Sequence, residues 1–471
     1  MTWRIDWLHG TTLPNGKGTH ASSAAVRPAR TQRAAGVGVW RGIIGNSTRA
    51  VVSAAASFAF AAAAAAQFVQ YSDPGTLANR SIPTKEGLEK AMEETRWNLG
   101  PVRLAPWFAI KDVMYNNNVF GATDDPVSDV TATVGAGLHA YLPVGPKLVV
   151  GAVVLPEYVW WNDLENLRGT YGRYGGGLFG YFNRLTVEVQ AFDIEDQGYV
   201  SSEFIRPVGI SEKRGSANLE IRVFERLWLI GRASESRWRH DPMSEDPSGA
   251  QYLLLDRDER NVGGGLRYTW SEAFSIAVGA AKLDSTFVRE LRDRSNSGTT
   301  PFLEVTVSGK RWWGAATISR PDLTAKEGSR FVAFRDTAGR MQLAWRPSGK
   351  AEIQLYGQRA LSYAVSLDSQ YSYNNRVGVA LQGNVGWRTV GRVFWETGTS
   401  RYIAAEGSPV PSHDEDVTSY GGLASMNVGR NITLSVQVSR EDYAAPAPHP
   451  DRSMTRIQTG LGFGGQGAQW W

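Results

Sequence analysis

The stretch LTVEVQAF, residues 185–192, alternates apolar and polar residues over its first seven positions. Its odd-numbered residues are apolar, whereas Thr186, Glu188 and Gln190 form the polar parity. Because successive side chains of a β-strand point to opposite faces, this pattern predicts a strand with one apolar and one polar face. The same alternation recurs at residues 217–224, 303–309, 352–358, 376–383 and 432–439.

The spacing of the connections distinguishes between two all-β folds that share this alternation, a soluble sandwich and a membrane barrel. Short breaks fall at residues 143–147, 183–184, 225–226, 271–273, 308–311, 346–350, 385–388 and 428–431. Longer polar stretches alternate strictly with them, at residues 116–128, 162–169, 195–213, 240–250, 289–298, 321–330, 366–369, 406–414 and 442–451. This layout predicts a closed antiparallel transmembrane β-barrel of about 18 strands, or 16 as the alternative, with short periplasmic turns and longer external loops.

The composition fits a large strand-rich chain better than a helical membrane protein. The 471 residues are 42% hydrophobic and include 51 glycines, 17 tryptophans and no cysteine, and the mean hydropathy is −0.29. Glycines and aromatic residues are typical of tight turns and of interfacial rings. The lack of cysteine excludes disulfides and thiolate metal sites.

The basic character of the chain belongs to residues 1–66. Seven of the 50 Lys and Arg residues and one of the 46 acidic residues fall there, so the remainder has a net charge of about −2 and no nucleic-acid binding is expected. The uncharged run VVSAAASFAFAAAAAA, residues 51–66, follows Arg41 and Arg49. We predict that residues 1–66 are a disordered leader plus a signal peptide that is removed after about Ala66. A buried or membrane-spanning helix is the alternative.

Residues 67–97 are predicted to be a periplasmic segment with a short helix. TKEGLEKAMEETRW, residues 84–97, places Leu88, Ala91 and Met92 on one face and charged residues on the other. The expected role is a periplasmic or lumen-capping helix rather than a binding device. The rest of the chain divides into the barrel, residues 98–465, and a C-terminal tail, residues 466–471.

Tryptophans gather near the predicted strand ends, which predicts aromatic girdles at the two membrane interfaces. They are Trp160, Trp161, Trp228, Trp238, Trp270, Trp312, Trp313, Trp345, Trp387 and Trp395. The last strand is predicted at residues 456–463, and its terminal aromatic Phe463 is similar to the signal by which barrel proteins are recognised for assembly.

The sequence WNLGPVRLAPWFAIKDVMYNNNVFG, residues 97–121, resembles the entry to the β-barrel porin 2 family. The positions that carry the resemblance include Gly100, Pro106, Asn117, Asn118 and Phe120. The family usually has an acidic residue where this chain has Asn116 or Asn117. The resemblance implies an outer-membrane barrel of a family often linked with exopolysaccharide loci, and it implies no catalytic or binding residues.

Charged residues on the polar parity of the predicted strands are candidates for lining the lumen. They are Arg222, Arg232, Arg267, Arg376, Arg392, Glu188, Glu220, Glu304 and Glu352, together with His139 on the second strand. Mixed charges of this kind can tune which ions or sugars pass. The alternative for any single pair is mutual neutralisation across the wall.

The histidines do not indicate an enzyme. His139 has the parity of the lumen, whereas the Ser/His/Asn site of a barrel lipase would converge at the lipid face. We therefore predict a protein that is not an enzyme and that has no cofactor and no metal site. The expected partners are outer-membrane lipid and lipopolysaccharide, and the barrel-assembly machinery.

The predicted function is an outer-membrane porin that allows small polar solutes to pass the outer membrane of a Gram-negative bacterium. One alternative is a barrel component of exopolysaccharide export or anchoring, which would work with periplasmic polysaccharide-export proteins. A second alternative is a structural barrel whose lumen is closed by side chains and by the helix predicted within residues 84–97.

Overall fold

The computed structural model describes residues 74–463, except residues 79–83, 96, 123–124, 202, 204–205, 243–246, 290–292, 387, 429–431 and 447–450. The predicted leader, the signal peptide and the C-terminal tail lie outside the described residues.

The chain forms a barrel of 18 long strands, as the sequence predicts. The first nine are β1 (Val102–Asn116), β2 (Asp129–Val144), β3 (Leu148–Trp161), β4 (Gly169–Tyr181), β5 (Leu185–Gly198), β6 (Val208–Arg222), β7 (Leu227–Asp241), β8 (Arg257–Ser271) and β9 (Phe274–Phe287). The second nine are β10 (Asn296–Ser308), β11 (Trp312–Ser319), β12 (Ala338–Ser348), β13 (Ala351–Tyr363), β14 (Ser369–Asn384), β15 (Thr389–Ala404), β16 (His413–Val428), β17 (Ile432–Ala444) and β18 (Arg452–Phe463).

Each strand pairs antiparallel with the next, and β18 pairs with β1 to close the ring. All of the predicted short turns and long loops lie at connections of the barrel, with every short turn at one end and every long loop at the other. Closure pairs β18 with β1 in place of two open sheet edges, which is why so much antiparallel sheet is stable in one layer. The predictions of fold class and strand number are therefore confirmed.

Short elements complete the fold. They are the helices Thr76–Ala78, Thr84–Glu94, Glu165–Leu167 and Pro247–Leu255 and the short strands Trp97–Leu99, Asp322–Ala325 and Phe334–Arg335. Among the described residues, no helix is both long enough and apolar enough to cross a bilayer.

The two faces of the barrel wall differ in the way that the alternation predicts. The outward face carries exposed aliphatic side chains, among them Val134, Val154, Val189, Leu219, Leu229, Leu266, Val278, Leu303, Leu355, Leu381, Val393, Val436 and Ile457. The inward face carries buried polar and charged side chains, among them His139, Glu188, Glu220, Arg267, Glu304, Arg376, Arg392, Ser419 and Arg456. An apolar belt around a polar interior is the arrangement of a barrel in lipid.

The prediction that the tryptophans near strand ends form girdles is only partly correct. Trp270, Trp312 and Trp345 are exposed on the outward face, and Trp312 stacks on Trp345. Trp161 and Trp313 are buried instead, because adjacent residues of a strand point to opposite faces and only one of each Trp–Trp pair can face lipid.

A glycine on β15 allows close approach of β14. A Cβ added to Gly398 would lie 1.8 Å from the carbonyl oxygen of Asn375 on the paired strand. We expect Gly398→Ala to lower the free energy of unfolding by about 1–3 kcal/mol, because the two strands must separate to admit the methyl group. Guanidinium unfolding from lipid vesicles measures the effect. The control is Gly231→Ala, where no atom lies within 4 Å of the added Cβ, and equal losses in both variants would contradict the prediction.

Candidate functional site

The candidate site is the barrel lumen, and its wall carries charges on nearly every strand. Of the charged residues predicted to line the lumen, Arg267, Arg376, Arg392, Glu188, Glu220, Glu304 and Glu352 are buried on the inward face. Arg232 is part-buried on the same face. His139 is also buried there, with its ring stacked on that of Tyr141.

Arg222 lies at the rim of the wall rather than in the middle of the lumen. It ends β6, and its guanidinium donates to the backbone carbonyl of Glu225 in the short turn at 2.8 and 3.2 Å. Its guanidinium also lies over the ring of Trp228. These contacts fix the turn, so Arg222 is placed to influence one mouth of the barrel.

A four-residue charge group occupies the wall between β6 and β10. Arg267 makes a bidentate ion pair with Glu220, at 3.1 and 2.7 Å. Arg232 and Glu304 interact electrostatically with this pair, and both Arg267 and Glu304 are only 1% exposed. We call these four residues the β6–β10 charge group. Two cations and two carboxylates lie together there, an arrangement that favours the alternative of mutual neutralisation at this position.

A second charge cluster lies on β12 and β13. The carboxylate of Glu352 accepts a hydrogen bond from the indole Nε1 of Trp313 at 2.8 Å and from the guanidinium of Arg346. On β4 and β5, Glu188 accepts a hydrogen bond from the hydroxyl of Tyr181 at 3.0 Å. Glu352 and Glu188 therefore each have a donor, as burial in a medium of low dielectric requires, whereas neither carboxylate oxygen of the buried Glu304 has a hydrogen-bond partner among the described residues.

The helix Thr84–Glu94 lies inside the lumen. Leu88 and Ala91 are 1% exposed and pack against apolar side chains on the inward faces of β2–β5. We call this surface the apolar wall; it comprises Tyr141, Val149, Val153, Leu155, Phe179, Phe192 and Ile194. Because an apolar patch facing water is unfavourable, the helix stabilises the barrel by covering this apolar part of the inner wall. The guanidinium of Arg103 also donates to the carbonyl of Met92 at 3.2 Å.

The apolar wall could have been predicted from the sequence of β3, which departs from the alternation of apolar and polar residues. β3 reads LVVGAVVLPEYVWW and is apolar on both parities, with Val150 and Val154 outward and Val149 and Val153 inward. A strand that faces lipid on one side and water on the other alternates. A strand apolar on both faces indicates that something covers its lumen side.

The long-loop end of the lumen is filled by loops that fold inward. Apolar side chains from β6 to β14 and their loops form one buried cluster, which includes Val200, Tyr252, Leu283, Phe287, Leu323, Phe331, Phe334, Leu361, Tyr363, Val365 and Tyr371. Across the mouth, the hydroxyl of Tyr199 accepts a hydrogen bond from the amide of Asn116 on β1 at 3.1 Å. The loops therefore restrict the entrance.

Glu203 joins two loops from nearly opposite sides of the barrel. It lies in the loop between β5 and β6, and its carboxylate accepts hydrogen bonds from the backbone N–H groups of Val365 and Ser366, at 2.7 and 3.1 Å, in the loop between β13 and β14. Burial raises the pKa of Glu203 to about 7, although these two N–H groups and Arg294 act in the other direction. Arg294 holds the same loop by donating to the carbonyl of Ala364 at 2.6 Å. We call this contact the Glu203 bridge.

The Glu203 bridge is expected to weaken as the pH rises. The folded-state pKa lies above the ordinary value of 4.5, so the stabilisation is complete below that value and is lost as the pH rises through about 7. Hydrogen exchange of the Val365 and Ser366 amides, expressed as protection factors, should fall about tenfold from about pH 5.5 to about pH 8. Glu203→Gln should keep the bridge and remove the pH dependence. An unchanged protection factor in the wild type would contradict the expectation.

The positions of the family resemblance build the start of the barrel and its first loop. Gly100 has φ +60° in the turn before β1, and Pro106 lies on the outward face of β1. Asn118 exchanges hydrogen bonds with the backbone of Ala122 at 2.7 and 2.9 Å. Asn117 accepts from the N–H of Thr455 at 3.1 Å, and the guanidinium of Arg206 lies over the ring of Phe120. These residues have structural roles in the strand entry and the loop.

Pro106 occupies a position where its missing N–H is tolerated. On the closing edge of β1, the short strand Trp97–Leu99 pairs up to Leu104, and β18 pairs from Phe108 onward. Pro106 falls between these two described pairings, so it sits at the seam of the barrel, which is one of the positions open to proline in a sheet.

No protein-family model and no curated protein matches this sequence. The crystal structure of OccK1 (OpdK) from Pseudomonas aeruginosa is similar at 12% identity and a TM-score of 0.48, covering 77% of this chain and 98% of that chain. A BenF-like porin from Pseudomonas fluorescens Pf-5 is similar at 12% identity and a TM-score of 0.47, with 77% and 98% covered. OccAB1 from Acinetobacter baumannii has 11% identity and a TM-score of 0.45, with 79% and 99% covered.

Proposed function

We propose that this chain is an outer-membrane channel through which small polar solutes cross the bilayer of a Gram-negative bacterium. The observation that carries the proposal is the closed wall of 18 strands, apolar outside and charged inside. A solute in such a lumen exchanges its water for fixed donors and acceptors, as in other polar pores. The short-turn end faces the periplasm and the long-loop end faces outward, as is usual for such barrels.

Charged residues above the apolar belt support a membrane with a polar, anionic outer surface. At the long-loop end, outward-facing ion pairs join Arg239 to Asp258, Arg401 to Asp414 and Arg440 to Asp442. Side chains of this kind belong in a headgroup zone rather than among acyl chains. We propose lipopolysaccharide as the lipid that they meet, and the barrel-assembly machinery as the partner during insertion.

The resemblance to the β-barrel porin 2 family is part of this proposal. It is supported by the way in which the motif residues build β1 and the first loop. Exopolysaccharide export or anchoring remains the alternative that the resemblance implies, and a gene neighbourhood rich in glycosyltransferases would favour it.

A closed structural barrel is the second candidate, and one observation favours it. The helix Thr84–Glu94 and the inward loops occupy much of the lumen. If the protein is a channel, the helix or the loops must move before a solute can pass. A structural barrel requires no such movement.

Single-channel conductance in a planar bilayer separates the two candidates. The full chain, purified from the outer membrane, should give discrete ohmic steps, which should be larger for Leu88→Asp because that change places a carboxylate in the apolar wall and drives the helix out. The absence of steps from both folded proteins would rule out the channel and leave the structural barrel.

A further inference from the structure

Residues 74–78 lie against the inner wall of β12–β15, on the side of the lumen opposite the apolar wall. Leu77 is buried among Tyr356, Ala380 and Phe394, whose side chains project inward from β13, β14 and β15. These contacts form an apolar pocket on a wall that is otherwise polar. The wall at this point therefore holds a piece of the chain's own N-terminal segment.

Three side chains of this wall make hydrogen bonds to the backbone of residues 74–78. The carboxylate of Glu396 accepts from the backbone N–H of Gly75 at 2.7 Å, and the guanidinium of Arg392 donates to the carbonyl of the same residue at 2.7 Å. The side-chain amide of Gln342 donates to the carbonyl of Ala78 at 2.7 Å. Glu396 and Arg392 thus both act on the backbone of one uncharged residue, Gly75, the first as acceptor from its N–H and the second as donor to its C=O, which belong to two neighbouring peptide units. Such an arrangement recognises the direction of a chain and not its charge.

The pocket also restricts which residue can occupy position 75. Gly75 has φ +77°, and a Cβ there would lie 2.8 Å from the ring of Phe394. A side chain is therefore excluded both by the backbone conformation and by the ring. The hydroxyl of Tyr356 donates to Glu396 at 3.0 Å and holds the carboxylate in place.

We propose that Gln342, Arg392 and Glu396 form a binding site for a short uncharged peptide with glycine followed two residues later by an aliphatic residue, and that residues 74–78 occupy it in cis and block the channel. The blocking part rests on the proposed function. The binding site itself depends only on the side chains of the barrel wall and does not require that the barrel is a channel. A peptide of this class arriving in trans competes with residues 74–78 for the same donors, acceptor and pocket.

The test uses the full chain with residues 74–78 released by Gly75→Val and Leu77→Asp. The probe is a fluorescein-labelled peptide Pro-Gly-Thr-Leu-Ala with blocked ends, and its binding is read by fluorescence anisotropy. The released protein should bind the probe about tenfold or more tightly than the wild type, in which the tethered segment competes. The peptide Pro-Val-Thr-Leu-Ala should bind the released protein about tenfold more weakly. Glu396→Gln added to the released protein should also weaken binding, and Gln342→Ala tests the same site if that variant does not fold.

The outcomes separate the site from the channel. A released protein that binds neither peptide, or both equally, overturns the proposed site whatever the conductance. If the site is correct, the released protein should pass more current than the wild type and the probe should reduce that current. Equal currents in the two proteins overturn the blocking. Specific binding without current in any variant keeps the site and removes the channel. Gly145→Val is the control, since this glycine also has positive φ but has no atom within 4 Å of the added Cβ.

Discussion

Leu88→Asp is expected to drive the helix Thr84–Glu94 out of the lumen. Leu88 is 1% exposed and packs on the apolar wall. Loss of the buried leucine costs about 2–5 kcal/mol, and an unpaired carboxylate in an apolar site costs several kcal/mol more or forces its own protonation. Because a helix of 11 residues has little stability by itself, it should leave the wall.

The chain has no native cysteine, so a single cysteine in place of Ala91 reports the position of the helix through its rate of maleimide labelling. The rate should rise at least about a hundredfold in Leu88→Asp, which corresponds to about 3 kcal/mol of lost docking. Leu88→Met is the matched control, because a volume-conserving change usually costs less than about 1.5 kcal/mol. Equal labelling of the aspartate variant and the wild type would show that the helix is not held by this wall.

Arg267→Ala is expected to destabilise the barrel by about 3–5 kcal/mol, the cost of leaving one partner of a buried ion pair alone. In the β6–β10 charge group, its loss leaves Glu220 without its bidentate donor and leaves Arg232 as the one remaining cation of the four. The midpoint of guanidinium unfolding from lipid vesicles, compared at one pH, measures the loss.

A double variant distinguishes the ion pair from simple packing. Arg267→Met with Glu220→Gln removes both charges and keeps most of the volume, and it should recover at least half of the loss, because replacing both members of a buried pair is often nearly neutral. If the double variant is as unstable as Arg267→Ala, the loss comes from the cation–π contact of Arg267 with the ring of Trp228 and not from the ion pair with Glu220.

The strands, the turns and the inward parity were accessible from the sequence because they depend on residues close together in the chain. The alternation of apolar and polar residues predicts whether a side chain faces lipid or the lumen. The alternation of short and long connections predicts at which end of the barrel each connection lies. The placement of Glu220, Arg267 and Glu304 on the inner wall therefore follows from local pattern alone. The parity rule also assigns one tryptophan of each adjacent pair to the lumen, as the structure shows for Trp161 and Trp313.

The partners of those residues were not accessible, because they depend on register around the ring. Glu220 and Arg267 are 47 residues apart, and a shift of one residue in either intervening pairing would separate them. The segments that lie inside the lumen could not be predicted from the sequence either. Nothing in residues 74–78 by itself indicates contact with Arg392 and Glu396, 317 and 321 residues away.

The Glu203 bridge also has a meaning for how the protein folds. Its two loops are 162 residues apart in the chain, and they extend from strands on nearly opposite sides of the ring. An open sheet would hold them far apart, and the entropy of so long a loop opposes an early encounter. We therefore expect the bridge to form only after β1 and β18 have joined. With a fluorophore on one loop and a quencher on the other, the time at which fluorescence is quenched during folding would report when the barrel closes.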